Sequence, residues 1–366
     1  MGGNLRLSGR TGALWMVNRR KLLFSALAVP GWGLSATPGV RLPHDFGAHP
    51  DARTEWWYVT GSLEAGGRTW GFQVTFFRVA TGVDAAHPSR FAARELVFGH
   101  AALTDLVAGR QFHDQRVARS GFGVASAAEG RTAVRLRDWR LDRDDGGRYT
   151  TRVRCPAAGF DLDLVLDTTQ PTLLQGRDGW SQKGPDPANA TGYYSEPQLH
   201  VTGTLVRDGA PALPVTGRAW LDHEWGDTLL PADAMGWDWI GMNLDDGGAL
   251  TAFRLRRADG SAVWAGGSHR PADGPARIFG PAEVVFSPGR TWTSPASQAR
   301  YPVEWTLDTP AGRFAVVSLL DAQELDSRAS TGAWYWEGLS DLRAADGRRL
   351  GRGYLEMTGY ASRLRL

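Results

Sequence analysis

From residue 38 onward, no stretch of the chain sustains apolar residues at i, i+3, i+4 and i+7; short runs that alternate apolar with polar residues recur instead, cut by Gly, Asp and Asn. A period of two suits a pleated strand with one buried face and denies an amphipathic helix its continuous apolar stripe. Residues 68–79, 160–167, 199–206 and 249–256 read as strands on this basis. Turn signals stand between them: EAGG at 64–67, DDGG at 144–147 and again at 245–248, RDG at 207–209, and ADG at 258–260 and 345–347. Turns of this kind join antiparallel neighbours. The prediction is an all-β, antiparallel chain.

Sixteen tryptophans and 46 glycines fit such a chain, since large aromatics pack on sheets and glycine serves the turns. A weak internal repeat runs through the hairpins. WWYVTGSLEAGG, YYSEPQLHVTGTLVRDG, WDWIGMNLDDGG and WYWEGLSDLRAADG each open on an aromatic cluster, cross a strand-length segment and end in a turn. Aromatics at i and i+2 share a face, so Trp237 with Trp239, and Trp334 with Trp336, line one side of their strands. Two readings of these faces stand open: the filling of a barrel core, or the wall of a ligand cavity, which a barrel of about eight strands can enclose.

A chain of 366 residues with 42% hydrophobic content favours two domains over one. The net charge is only +2 and the basic residues are interspersed with acids, so no phosphate-binding surface, and no nucleic-acid partner, is expected. All but two of the 41 basic residues are arginine; the exceptions are Lys21 and Lys183. The single cysteine, Cys155, excludes an internal disulfide framework and a multi-cysteine zinc site, and reads as a small buried hydrophobe. From Met16 the chain has Arg19, Arg20 and Lys21, a mostly apolar run from Leu22 to Leu34, then Ser35 and Ala36. This is the pattern of an export signal, too short to span a membrane, and the paired arginines point to the twin-arginine route. The expected location is extracytoplasmic, periplasmic or secreted. Neither G-x-S-x-G, H-E-x-x-H nor a phosphate-binding glycine loop is present, which removes common serine hydrolases, zincins and nucleotide enzymes. His44, His49 and His87, in loop-like segments beside prolines, read as solvated.

The most concentrated chemistry is AWLDHEWG, residues 219–226. On a strand Asp222 and Glu224 share one face, while His223 and Trp225 take the other. The triplet reads as a buried polar network tied to arginines, as a ligand-orienting group, or as an acid/base centre, and the residues alone do not choose. Asp238, between Trp237 and Trp239, and Glu55, before Trp56 and Trp57, carry the same alternatives. Tyr193 and Tyr194 are hydrogen-bond donors for a cavity or a core.

Six motifs in order, HPDARTEWWYVTGSL, GHAALTD, GWSQKG, YYSEPQLHVTGTL, VTGRAWLDHEWG and GWDWIGMNLDDGGAL, resemble the carotenoid 1,2-hydratase and AttH-like family, often labelled predicted secreted hydrolases. The resemblance runs from His49 to Leu250 and weakens after about Arg256. It implies two lipocalin-like antiparallel β-barrel domains packed together, read here as residues 38–226 and 227–366 after a leader of 1–37. The chemistry it implies is cofactor-independent hydration of a C=C bond: an acid protonates the alkene, a tertiary carbocation forms, and water captures it. Such a site needs a carboxyl kept protonated in an apolar pocket and aromatic faces for the cation. The candidates for catalysis are His223, Asp222, Glu224, Asp238 and Tyr194, and for the walls Trp56, Trp57, Trp220, Trp225, Trp237 and Trp239. Where the hydratases proper carry a Tyr-Asp pair, the resemblance places Phe253 and Arg254. The expected ligand is an elongated apolar isoprenoid or lipid. The alternative is a non-catalytic accessory protein that hands lipid to a membrane transporter.

Overall fold

The computed structural model describes residues 39–364 apart from 85 and 229; the export signal expected within residues 1–37 lies outside the described residues. A first antiparallel sheet is built from β1 (Thr54–Ala65), β2 (Arg68–Ala80), β3 (Glu95–Asp105), β4 (Arg110–Arg119), β5 (Ala125–Ala127), β6 (Ala133–Leu136), β7 (Trp139–Arg143), β8 (Tyr149–Cys155), β9 (Phe160–Asp167), β10 (Leu173–Leu174), β11 (Trp180–Gln182), β12 (Ala190–Arg207) and β13 (Leu213–Gly226). Its neighbours run β4-β3-β2-β1-β13-β12-β9-β8-β7-β6-β5. This order curls into a nearly closed barrel. Its seam is closed by side chains: Arg116 of β4 lies 4.5 Å from the ring centre of Trp139 on β7 and binds Asp138 and the Arg154 carbonyl.

The second sheet follows from β14 (Gly236–Leu244), β15 (Ala249–Arg256), β16 (Ala262–Arg270), β17 (Arg277–Phe279) and β18 (Val285–Pro288). After a small hairpin, β19 (Thr291–Thr293) with β20 (Arg300–Pro302), it continues with β21 (Glu304–Thr309), β22 (Gly312–Ser318), β23 (Glu324–Asp326), β24 (Trp334–Arg343) and β25 (Arg349–Thr358). Its order is β17-β16-β15-β14-β25-β24-β22-β21-β18. The architecture is two lipocalin-like antiparallel barrels packed together.

Alternation explains each barrel interior. In β9 the residues Phe160, Leu162, Leu164 and Leu166 are buried, while the intervening Asp161, Asp163 and Asp167 turn out to Arg154, Arg152 and Arg148. Burying each leucine contributes roughly 1.5–3 kcal/mol. Cys155 at the end of β8 is fully buried and free.

Alternation breaks down where the barrels meet. Ala190 to Leu199 on β12 and Ala219 to Glu224 on β13 are buried at every position, because one face looks into the first barrel and the other meets the second. A separate apolar cluster forms at this junction, including Tyr58, Trp220, Trp239, Phe253, Leu339 and Tyr354. A bulge in β12 between Glu196 and Leu199 supplies the polar part of the seal. There Gln198, at φ 57°, donates its backbone N–H to Asn243 Oδ1 and its side-chain amide to the Leu244 and Gly248 carbonyls, all within 3 Å.

Candidate functional site

The junction leaves a cavity, about 760 Å³ of empty space with its mouth included. Trp56 and Phe77 of the first barrel and Trp237, Trp239 and Phe253 of the second wall it. Trp237 and Trp239 line one side, as the i, i+2 spacing requires.

Asp222 and Glu224 enter from β13. Asp222 Oδ1 accepts from Ser195 Oγ at 2.5 Å and Trp220 Nε1 at 2.6 Å, and Oδ2 accepts from Tyr193 OH at 2.6 Å. Burial pushes its carboxyl up to about 7 in spite of those three donors, and the charge of Glu224 adds to the rise. Glu224 pairs with Lys183 Nζ at 2.8 Å and accepts from Thr191 Oγ1 at 2.6 Å. The Lys183 ammonium also lies 4.4 Å from the Phe253 ring centre and 4.7 Å from that of Tyr193.

The opposite wall carries two further acids, Glu337 of β24 and Glu356 of β25, directly across from one another in the strand register. The Tyr58 and Tyr335 hydroxyls stand beside the buried Glu337 carboxyl, but neither carboxyl oxygen makes a hydrogen bond of good geometry, nor does the Tyr58 hydroxyl. Burial, then the facing Glu356, raises Glu337 well above the usual carboxylate range. Glu356 is raised too, by burial and by Asp222 and Glu224.

The other face of β13 belongs to the first barrel, and four of the candidate residues lie on that side. His223 is fully buried there, with Nε2 2.8 Å from Glu55 Oε1 and Nδ1 3.0 Å from Tyr194 OH. Trp57 stacks on His223 at 4.6 Å, and Trp225 stacks on His49 at 3.7 Å. Gly192, the cross-strand partner of Trp225, makes room for that indole: a Cβ there would stand 2.2 Å from the ring. His223, Tyr194, Trp57 and Trp225 therefore do not reach the cavity, because the pleat turns them to the opposite side.

Asp238 is also turned away from the cavity: it points into the second barrel, bound by Arg254 Nε at 2.7 Å and Tyr360 OH at 2.8 Å, and the guanidinium neutralises it. Trp220 lies behind Asp222 and orients it without lining the cavity. His49, expected in solvent, is largely buried and donates to Glu55 from Nδ1 at 2.7 Å.

Among the described residues, His49, Glu55 and His223 form a cluster with metal-ligand chemistry, their donor atoms within 4.8 Å of one another. Glu55 Oε1 already accepts from both imidazoles, and Arg78 Nε holds Oε2 at 2.9 Å, so both carboxylate oxygens are occupied within the protein. Burial pushes His223 down against the pull of Glu55. Burial would raise Glu55, but the hydrogen bonds of His223 and His49 outweigh it and hold the carboxyl below its ordinary range.

Sequence reasoning missed Lys183, Glu337 and Glu356. Lys183 carried a signal, as one of two lysines among 41 basic residues and within the GWSQKG motif. Glu337 shares the face of Tyr335, which also lines the cavity, but its pairing with Glu356 depends on the register of β24 and β25.

Two lipocalin-like barrels packed together thus enclose an aromatic, acid-bearing cavity. The chain belongs to the AttH-like family, whose model matches residues 34–360. A crystallised AttH of Nitrosomonas europaea is 47% identical and superposes with a TM-score of 0.82 over 91% of this chain and 98% of that one. Kievitone hydratase of Nectria haematococca shares the fold at 16% identity, with a TM-score of 0.67 over 90% of this chain and 95% of that one. The sequence is also similar to kievitone hydratase of Fusarium solani subsp. phaseoli, 24% identical over 172 residues, 45% of this chain. That alignment spans about half, 47%, of the relative's length.

Proposed function

We infer that the protein binds an elongated apolar molecule, an isoprenoid or lipid, between its barrels and adds water across one of its C=C bonds. One observation carries this reading: a carboxyl, Asp222, whose burial keeps it protonated near neutral pH inside an aromatic-walled cavity. Ser195, Trp220 and Tyr193 fix the orientation of that carboxyl, so its proton is delivered along a set direction. Transfer of the proton to the less substituted alkene carbon leaves the charge on the tertiary carbon. Water bonds to that carbon and gives its extra proton back to the Asp222 carboxylate, so the enzyme ends as it began. The indole faces of Trp56, Trp237 and Trp239 stabilise the intermediate cation. The similarity to hydratases and the export-signal pattern of residues 16–36 support an extracytoplasmic hydro-lyase.

The test begins with native mass spectrometry on the exported protein, followed by incubation of any co-purified alkene in heavy-oxygen water. Wild type is expected to yield an alcohol carrying the heavy oxygen, and Asp222→Asn to lower turnover by about 10²–10⁴-fold with the fold retained. Unchanged turnover in that variant sinks the mechanism.

A further inference from the structure

Four carboxyl groups, Asp222, Glu224, Glu337 and Glu356, face the cavity, and of the described residues lining it only Lys183 is basic. Lys183 is committed to Glu224 at 2.8 Å. Glu337 and Glu356 stand opposite each other on adjacent strands, where facing side chains are about 5 Å apart. Two carboxylates so placed in a buried wall cannot both keep their charge without a cation between them. Glu337 is only 1% exposed, and neither of its oxygens makes a hydrogen bond of good geometry. Around this pair the surfaces are rings: Trp56, Tyr58, Tyr335, Trp237 and Trp239. Among the described residues the four cavity acids do not converge into a metal-ligand cluster; the group that does is His49, Glu55 and His223, outside this cavity. A diffuse organic cation asks for aromatic faces and an anionic partner, which these walls supply.

We propose that the Glu337–Glu356 wall of this cavity is a binding site for an organic cation, an alkylammonium group carried on an apolar body. The proposal rests on the inter-barrel cavity being the ligand site. The ammonium supplies the counter-charge that the facing carboxyls otherwise lack, and its alkyl groups lie on the indoles. The same wall is complementary to the carbocation of hydration, of which a quaternary ammonium is a stable mimic.

The probes are benzyltrimethylammonium and its uncharged carbon isostere, neopentylbenzene, titrated into the full chain at neutral pH with tryptophan emission as the readout. The ammonium is expected to bind about tenfold more tightly or better. That preference should vanish in the Glu337→Gln/Glu356→Gln double variant, whose fold is checked by circular dichroism. It should persist in Glu304→Gln, which removes a half-exposed acid of the second barrel. Equal affinity of wild type for the two probes overturns the cation site and leaves the apolar cavity standing. Binding of neither probe overturns the cation site and the ligand reading beneath it.

Discussion

The two faces of β13 carry neighbouring residues of one strand into opposite electrostatic settings. On the first-barrel face, His223 meets a carboxylate, Glu55, whose charge is matched by Arg78 and whose oxygens are all occupied. On the cavity face, Asp222 has three hydrogen-bond donors but no arginine, and across from it Glu337 has no cation beside it and only the Tyr58 and Tyr335 hydroxyls as polar neighbours, neither in good hydrogen-bond geometry. A buried charge that is paired and fully hydrogen-bonded holds structure together; a buried acid left without a counter-charge keeps its proton, and that is a chemical resource. The difference separates a histidine paired with a charge-balanced carboxylate from an acid with no cation beside it, one residue away.

Breaking the first-barrel side has the largest expected effect. Arg78→Ala strands the Glu55 carboxylate and frees the backbone carbonyls of His49 and Ala52 that the guanidinium also binds. We expect a loss of about 3–5 kcal/mol in denaturant unfolding. Benzyltrimethylammonium affinity should change little where the variant is still folded. A variant that keeps its stability but loses the ligand would show that the two faces are not independent.

The pH dependence of stability sharpens the contrast, because the faces carry opposite signs. Asp222 has its carboxyl raised from 3.8 to about 7 by burial, so between those values the folded chain holds a proton that the unfolded chain has released. Its contribution to stability is complete below pH 3.8 and is lost as pH rises through 7, a change of roughly 2–4 kcal/mol. Glu55 is lowered from 4.5, so its contribution is present above that pH and is lost on acidification. Unfolding of wild type and Asp222→Asn across pH 4 to 8 should show their difference shrinking as pH rises. A constant difference would mean that Asp222 is ionised throughout.

Ser195→Ala is the smallest perturbation. It removes one donor from Asp222 and interrupts the chain Ser268–Gln175–Ser195 that links the barrels. The expected cost is about 1 kcal/mol, with the Asp222 titration moved further upward as a charge-stabilising donor is lost. Carbon-13 NMR of the aspartate carboxyl carbons reads that shift directly; a downward move would assign the rise in Asp222 to something other than burial.

Much of the fold was legible in particular residues. The runs predicted at 160–167 and 249–256 are β9 and β15, and the run at 68–79 is β2 short of its last residue. The common wall of Trp237 and Trp239 and the opposed faces of Asp222 and His223 followed from the same period of two. His223 and the cavity carboxyls do not meet, because the pleat that separates them along the strand also places them on either side of the sheet. His49 escaped for another reason: its burial depends on Trp225, which lies far along the chain.

What the sequence determined by itself was therefore local: strand periodicity, turn positions and the side of a strand each residue takes, all consequences of backbone geometry over a few residues. Only the tertiary structure decided which side is interior and which is cavity, that Arg78 and Arg254 neutralise Glu55 and Asp238, and that Glu337 meets Glu356. Those outcomes depend on register and on burial, and the charge state of a carboxyl is set by everything within a few ångströms of it, whatever its distance along the chain.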